Sequence, residues 1–127
     1  FIDGTNDYSG NKLTGTPAAI TNWMLETTHN KGFFVNLHYQ TVGRMPIRDD
    51  NSLYTQAYQL GNLMAGFEKS FGKLSFSVSS GVQNIFNVRY ASMILINATA
   101  AGNQSPRYYY PGLSRNFKTT VSLRYSF

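Results

Sequence analysis

The sequence offers few side chains that could do nucleophilic or metal chemistry. It has no cysteine, so cysteine nucleophiles and thiolate metal sites are excluded. Its two histidines, His29 and His38, lie on either side of the tight-turn signal Asn30-Lys31-Gly32, so they cannot form a metal pair one helical turn apart. We expect His38 to occupy an ordinary polar position, although a metal or haem ligand stays open, and we predict no metal site.

The acidic and serine side chains do not complete a catalytic site. Asp49-Asp50 could begin a hard-cation site, but no further acidic ligands follow at calcium-loop spacing, so a solvated turn is the better interpretation. Glu26 and Glu68 show no sign of an acid–base pair. Ser92 and Ser114 have no histidine predicted nearby, and a Gly-x-Ser-x-Gly motif is absent. We therefore predict no catalytic residues and no enzymatic activity.

Arginines and tyrosines are the residues best suited to bind a ligand. Guanidinium groups bind carboxylates, phosphates and anionic chelates through paired hydrogen bonds. The candidate ligand-binding residues are Arg44, Arg48, Arg107, Arg115, Tyr108 and Tyr109. The other interpretations are contact with phosphate groups at a membrane surface or simple solvation.

The net charge of +5 does not indicate nucleic-acid binding. Such binding needs lysines and arginines clustered on one face, whereas here they are scattered singly along the chain. We predict no nucleic-acid partner.

Five segments alternate apolar with polar residues, which is the period of a β-strand. The clearest is the last, where Phe117, Val121 and Leu123 alternate with Lys118 and Arg124. Its length matches the roughly 9–11 residues of a tilted membrane-spanning strand. The predicted strands are residues 18–29, 33–44, 57–70, 74–86 and 116–127. Met24 falls on the polar side of the first predicted strand, which is therefore the weakest of the five predictions.

Short and long connections alternate between these strands. Asn30-Lys31-Gly32 and Phe71-Gly72-Lys73 are tight turns, while residues 1–17, 45–56 and 87–115 read as long loops. This alternation is typical of a transmembrane barrel with periplasmic turns and extracellular loops. A soluble sheet with one buried face would show the same strand period. Charged residues at 13% against aromatics at 15% favour the membrane, because soluble proteins contain about 25% charged residues.

Four stretches resemble TonB-dependent outer-membrane receptors. Residues 10–17, Gly-Asn-Lys-Leu-Thr-Gly-Thr-Pro, resemble that family's entry from loop into strand. Residues 81–91 are similar to its penultimate-strand motif, with Ile85 in place of the usual Leu. Tyr109-Tyr110-Pro111-Gly112 with Arg115-Asn116-Phe117 resembles the entry into the final strand. Leu123, Tyr125 and Phe127 resemble the terminal signal that the barrel-assembly machinery reads.

The resemblance implies that residues 1–127 are the C-terminal segment of a plugged barrel of about 22 strands. This is an all-β, antiparallel transmembrane β-barrel fragment comprising the last five strands, without the N-terminal plug domain. Such receptors lie in the outer membrane of Gram-negative bacteria and import scarce nutrients, most often ferric siderophores, with energy supplied through TonB. The expected partners are outer-membrane lipid and lipopolysaccharide, the barrel-assembly machinery, and TonB through the missing N-terminal part. No covalent cofactor is expected; a ferric siderophore would be cargo. A passive porin is the alternative, and an outer-membrane enzyme a more distant one.

Overall fold

The computed structural model describes residues 2–127, and within them it is an all-β structure without helices. No helix in this range is long and apolar enough to cross a membrane. The strands are β1 (Ile2–Asp3), β2 (Asn6–Asp7), β3 (Ile20–Thr28), β4 (Phe33–Val42), β5 (Tyr58–Phe71), β6 (Leu74–Gln83), β7 (Ala91–Ile94), β8 (Tyr109–Pro111) and β9 (Asn116–Tyr125).

The main sheet contains the five predicted strands in the order β3-β4-β5-β6-β9. The prediction of five antiparallel strands is therefore confirmed, with shifts of one to three residues at most ends. The largest shift is at β6, which ends at Gln83 and not at residue 86. Asn84 adopts a positive φ of 50°, a left-handed conformation that takes the chain out of the extended strand.

The prediction that residues 1–17 and 87–115 are loops throughout was wrong in part. β1 pairs with β2 inside the first segment, and β7 pairs with β8 inside the second. These strands are two to four residues long, too short for a period of two to be read from sequence. Phe1, the first residue of the predicted loop, lies outside the described residues.

The strand register separates an apolar face from a polar face. In the pairing of β6 with β9, Val78 lies opposite Val121 and Phe76 opposite Leu123, whereas Ser77 lies opposite Ser122. Directly opposed residues share a face, so the odd-numbered residues of β9 form one apolar face, as predicted. The apolar face continues through β5, where Phe67 lies opposite Val78.

Both tight turns depend on a glycine with positive φ. β5 and β6 are joined by Gly72-Lys73, and Gly72 has a φ of 61° at the first central position, where a type II′ turn needs it. In the turn from β3 to β4, Gly32 has a φ of 103°. A Cβ there would stand 2.2 Å from the carbonyl oxygen of Glu68, so only glycine fits.

Chain contacts divide the described residues into two compact units. The loop unit comprises residues 2–21, 41–58 and 89–113, and the sheet unit comprises residues 22–40, 59–88 and 114–127. The most buried apolar side chains, Val42, Met45, Pro46 and Ile47, belong to the loop unit. The sheet is open: within residues 2–127, β3 and β9 each have a neighbour in it on one side only.

Candidate functional site

Within the sheet unit, the polar face carries a cavity of about 330 Å³. Its polar lining includes Glu26, Asn36, His38, Asn62, Gln83 and Lys118. Of these side chains, Glu26 and Lys118 carry opposite charges at neutral pH, so the lining has no dominant sign. A surface of this kind suits water or uncharged polar groups better than a concentrated charge.

Amide side chains surround His38 on this polar face. The His38 Nε2 lies 3.3 Å from Asn22 Oδ1, and Nδ1 lies 3.4 Å from Asn62 Nδ2. Asn22 Oδ1 also accepts a hydrogen bond from Gln40 Nε2 at 2.9 Å. One ring nitrogen therefore faces an acceptor and the other a donor. Both ring nitrogens therefore have polar partners.

Among residues 2–127, no cluster of three or more His, Cys, Asp or Glu side chains is arranged to hold a metal ion. His29 lies in the turn after β3, where its Nδ1 faces the Lys31 N–H at 3.2 Å.

Asn84 is a buried structural residue whose role the sequence did not reveal. It is 4% exposed. Its side chain accepts from the Val88 N–H at 2.9 Å and donates to the Val88 carbonyl at 2.8 Å, while its own N–H donates to Asn62 Oδ1 at 3.0 Å. Asn84 therefore holds the turn after β6 and joins it to β5. Asparagine tolerates positive φ, so the residue type is compatible with this turn but does not by itself predict these contacts.

Within the loop unit, Asp49 joins three segments of the chain. Its carboxylate accepts hydrogen bonds from Thr14 Oγ1 at 2.5 Å and from Asn97 Nδ2 at 2.6 Å. Its main-chain N–H donates to Asn97 Oδ1 at 3.1 Å, and its carbonyl accepts from Asn11 Nδ2 at 2.7 Å. Asp49 does lie in a turn and is only half-buried, but its hydrogen bonds to segments far away in sequence were not predicted.

Asp50, by contrast, bonds within its own turn. Its Oδ1 accepts from the Ser52 N–H at 3.0 Å and from Ser52 Oγ at 2.6 Å. These hydrogen bonds, reinforced by the charge of Arg48, lower the pKa of Asp50. The Arg48 guanidinium lies 3.7 Å from the other carboxylate oxygen. This solvated turn fits the interpretation of Asp50 from the sequence.

The candidate ligand-binding residues fall into both units. Arg44, Arg48, Arg107, Tyr108 and Tyr109 belong to the loop unit, and Arg115 belongs to the sheet unit. The Arg44 guanidinium lies 5.0 Å from the ring centre of Tyr54, a favourable cation–π contact. Arg107 and Tyr109 are exposed, whereas Tyr108 is half-buried and its carbonyl accepts from the Leu95 N–H. Their role in ligand binding stays a prediction.

The remaining predicted residues are exposed or bonded to main chain. Ser92 Oγ lies within hydrogen-bond distance of the Tyr110 and Pro111 carbonyls, at 3.3 and 3.2 Å, so it supports the β7–β8 hairpin. Leu123 and Tyr125 are exposed on the apolar face of β9. The ring of Tyr125 packs edge-on against Phe127, with centroids 5.4 Å apart. The barrel-assembly role of Leu123, Tyr125 and Phe127 stays a prediction.

The sequence matches no known protein-family model.

Proposed function

We propose that this chain forms the last five strands of a TonB-dependent receptor barrel in the outer membrane of a Gram-negative bacterium. The receptor would import a scarce nutrient, with a ferric siderophore as the leading candidate cargo. The observation that carries the proposal is an antiparallel sheet with one exposed apolar face and one polar face. The proposal places the apolar face against lipid and the polar face in the barrel interior.

Exposure of the apolar face supports its placement in lipid. Trp23 is 69% exposed, Phe117 78% and Leu123 68%. Soluble monomers rarely expose a continuous apolar patch beyond about 300–600 Å². Between its aromatic ends the face carries aliphatic residues such as Val78 and Val121, which resembles the apolar band and aromatic girdles of outer-membrane barrels.

The polar face suits the interior of a large barrel. Its β9 residues include Lys118 and Arg124, and the opposing β6 residues are Gly81 and Ser75. Charged side chains in a transmembrane barrel are tolerated on the side facing water or a plug. The polar cavity with Glu26 and Lys118 among its lining residues fits that environment.

The open edges support a larger barrel made with other strands. In lipid, each unpaired main-chain N–H or C=O group on the edge strands β3 and β9 would cost several kcal/mol, because no water is present to replace the missing hydrogen bond. Further strands that pair with these edges would remove this cost.

The directions of the edge strands limit which strands can close the barrel. Neighbouring strands alternate in direction, so β3 and β9, as the first and fifth in the sheet, run the same way. Copies of this sheet related by rotation about a barrel axis would therefore pair these edges in parallel. An all-antiparallel barrel instead needs other chain segments that contribute an odd number of strands.

The receptor is favoured over a porin by the residues that resemble the receptor family. Asn84, in the stretch similar to the penultimate-strand motif, holds the turn through Val88. These hydrogen bonds explain why an asparagine occupies position 84 in this stretch. The exposed Arg107 and its neighbour Tyr108 offer a cation and an aromatic ring to an anionic chelate.

Energy dependence of uptake tests the proposal. The complete polypeptide that contains this chain is expressed in a strain without other ferric siderophore receptors, and iron uptake is measured with and without TonB. We expect uptake that requires TonB and saturates with substrate. Uptake that is unchanged by loss of TonB and rises linearly with concentration would instead identify a passive porin.

Arginine variants test the cargo. Arg107→Ala combined with Arg115→Ala should weaken binding of an anionic siderophore, and the effect should shrink as salt screens the charge. Lys12→Ala, another exposed cation outside the candidate set, is the matched control. Unchanged binding by the double variant at low and moderate salt would remove the electrostatic role of these arginines.

A further inference from the structure

We infer that the tight-turn end of the apolar face binds the headgroups of anionic phospholipids in the adjoining leaflet. The inference rests on the proposed placement of this face in lipid. It concerns three lysines, Lys31, Lys69 and Lys73, which we call the lysine belt. In the proposed orientation they lie at the periplasmic surface of the membrane.

The belt lies at one end of the sheet unit. Lys31 is in the turn between β3 and β4, and Lys73 is in the turn between β5 and β6. The Gly32 carbonyl accepts a hydrogen bond from the Glu68 N–H at 2.8 Å, so the first turn touches β5 next to Lys69. The Lys73 carbonyl accepts from the Ser126 N–H at 2.9 Å, which joins the second turn to the chain just after β9.

Lys69 is the charged residue that interrupts the apolar face. It lies opposite Phe76 in the pairing of β5 with β6, and its Nζ lies 5.7 Å from the ring centre of Phe71. A long aliphatic stem allows lysine to cover apolar surface while its ammonium reaches the headgroup region. Lys69 lies two residues before the end of β5, a position that suits a site at the membrane surface and would not suit the bilayer centre.

Aromatic residues lie at the same end of the apolar face as the belt. The rings of Phe33 and Phe67 have centroids 5.0 Å apart, and Phe71 and Tyr125 are 60% and 57% exposed. Aromatic side chains concentrate where hydrocarbon meets headgroups. This end of the face thus combines an interfacial aromatic cluster with three cations.

No side-chain carboxylate among the described residues forms an ion pair with the belt. All three lysines are exposed. The nearest carboxylates along the strands, Glu26 and Glu68, are even-numbered residues of β3 and β5 and belong to the polar face. Anionic headgroups thus complement the local charge, whereas zwitterionic headgroups bring no net charge to it.

Lipid retention tests the inference. The complete polypeptide is incorporated into nanodiscs of phosphatidylethanolamine, with either phosphatidylglycerol or phosphatidylcholine as the second lipid. Lipids that stay bound after detergent extraction are then counted by native mass spectrometry. Each lysine near an anionic surface contributes about fivefold in affinity, so combining Lys31→Gln, Lys69→Gln and Lys73→Gln should abolish the preference for phosphatidylglycerol.

A control on the other face isolates the belt. Lys118→Gln removes one lysine from the polar face and should retain the preference, whereas Lys69→Gln alone should reduce it about fivefold. If both proteins enter the bilayer and the triple variant keeps the wild-type preference for phosphatidylglycerol, the inference is overturned and the proposed function is not. Failure of the wild-type protein to enter either nanodisc would overturn the proposed function as well.

Discussion

Val121 of β9 lies directly opposite Val78 of β6 on the apolar face, and it remains 65% exposed. Its neighbour Thr120 lies opposite Ser79 on the polar face. Adjacent residues of one strand thus occupy two environments, and the proposed function assigns lipid to the first and the barrel interior to the second. This pair allows a matched test of that assignment.

A charge should be tolerated at position 120 and not at position 121. At the bilayer centre, arginine on the lipid face of a barrel costs about 2–4 kcal/mol. We expect Val121→Arg to lower the free energy of unfolding of the complete polypeptide in lipid vesicles by that amount, as measured by urea titration. Thr120→Arg should cost much less. Equal effects at the two positions would mean that the faces do not meet different solvents.

The turn from β3 to β4 should be more sensitive to a methyl group than the turn from β5 to β6. Gly32→Ala adds the strain of positive φ, about 1–3 kcal/mol, to a close approach of the new Cβ to the Glu68 carbonyl. Gly72→Ala carries only the positive φ, since nothing lies within 4 Å of its Cβ. Unfolding free energies should therefore fall further for Gly32→Ala. A larger loss for Gly72→Ala would contradict the turn geometry.

How far the sequence predicts this structure depends on the range of the contacts. Period-two alternation extends over whole strands, so it predicts the strands of the main sheet and assigns residues such as Phe117 and Lys118 to opposite faces. It cannot reveal Asp49, whose side-chain partners Thr14 and Asn97 are 35 and 48 residues away along the chain. Contacts at such separations follow from how the loops pack. The short β7 and β8 strands carry too few residues to show a period.

Asp49 should stabilise the loop unit far more than its neighbour Asp50. Asp49→Ala removes the acceptor shared by Thr14 and Asn97, and hydrogen bonds to charged groups contribute about 1.5–3 kcal/mol when well shielded. Because Asp49 is only half-buried, we expect roughly the lower value. The measurement is amide hydrogen exchange, which should rise in residues 10–17 and 95–99. Asp50→Ala should raise exchange only near residue 52, so matching profiles would contradict the role of Asp49.

The lowered pKa of Asp50 should depend on Ser52. Removal of the hydroxyl in Ser52→Ala should raise this pKa towards the ordinary value of an aspartate, because the Ser52 hydrogen bonds are the main cause of the shift. Because the folded-state pKa is lowered, the stabilisation of the turn is present above the ordinary aspartate pKa. It is lost as the pH falls through the lowered value. The pKa of Asp50 is measured by NMR from the pH dependence of its carboxyl carbon shift. Ser9→Ala is the control, because it should raise the similarly lowered pKa of Asp7 and leave that of Asp50 unchanged.

The environment of β9 tests the central claim most directly. The chain has no cysteine, so once any cysteines elsewhere in the complete polypeptide are replaced by serine, single cysteines at positions 117 to 125 can each carry a nitroxide in lipid vesicles. Collisions with oxygen, which concentrates in lipid, are compared by electron paramagnetic resonance with collisions with a water-soluble nickel chelate. We predict a period of two, with oxygen accessibility highest at positions 119, 121 and 123 and lower at 118, 120 and 122. Preferential access of the nickel chelate to positions 119, 121 and 123 would contradict a membrane-spanning strand.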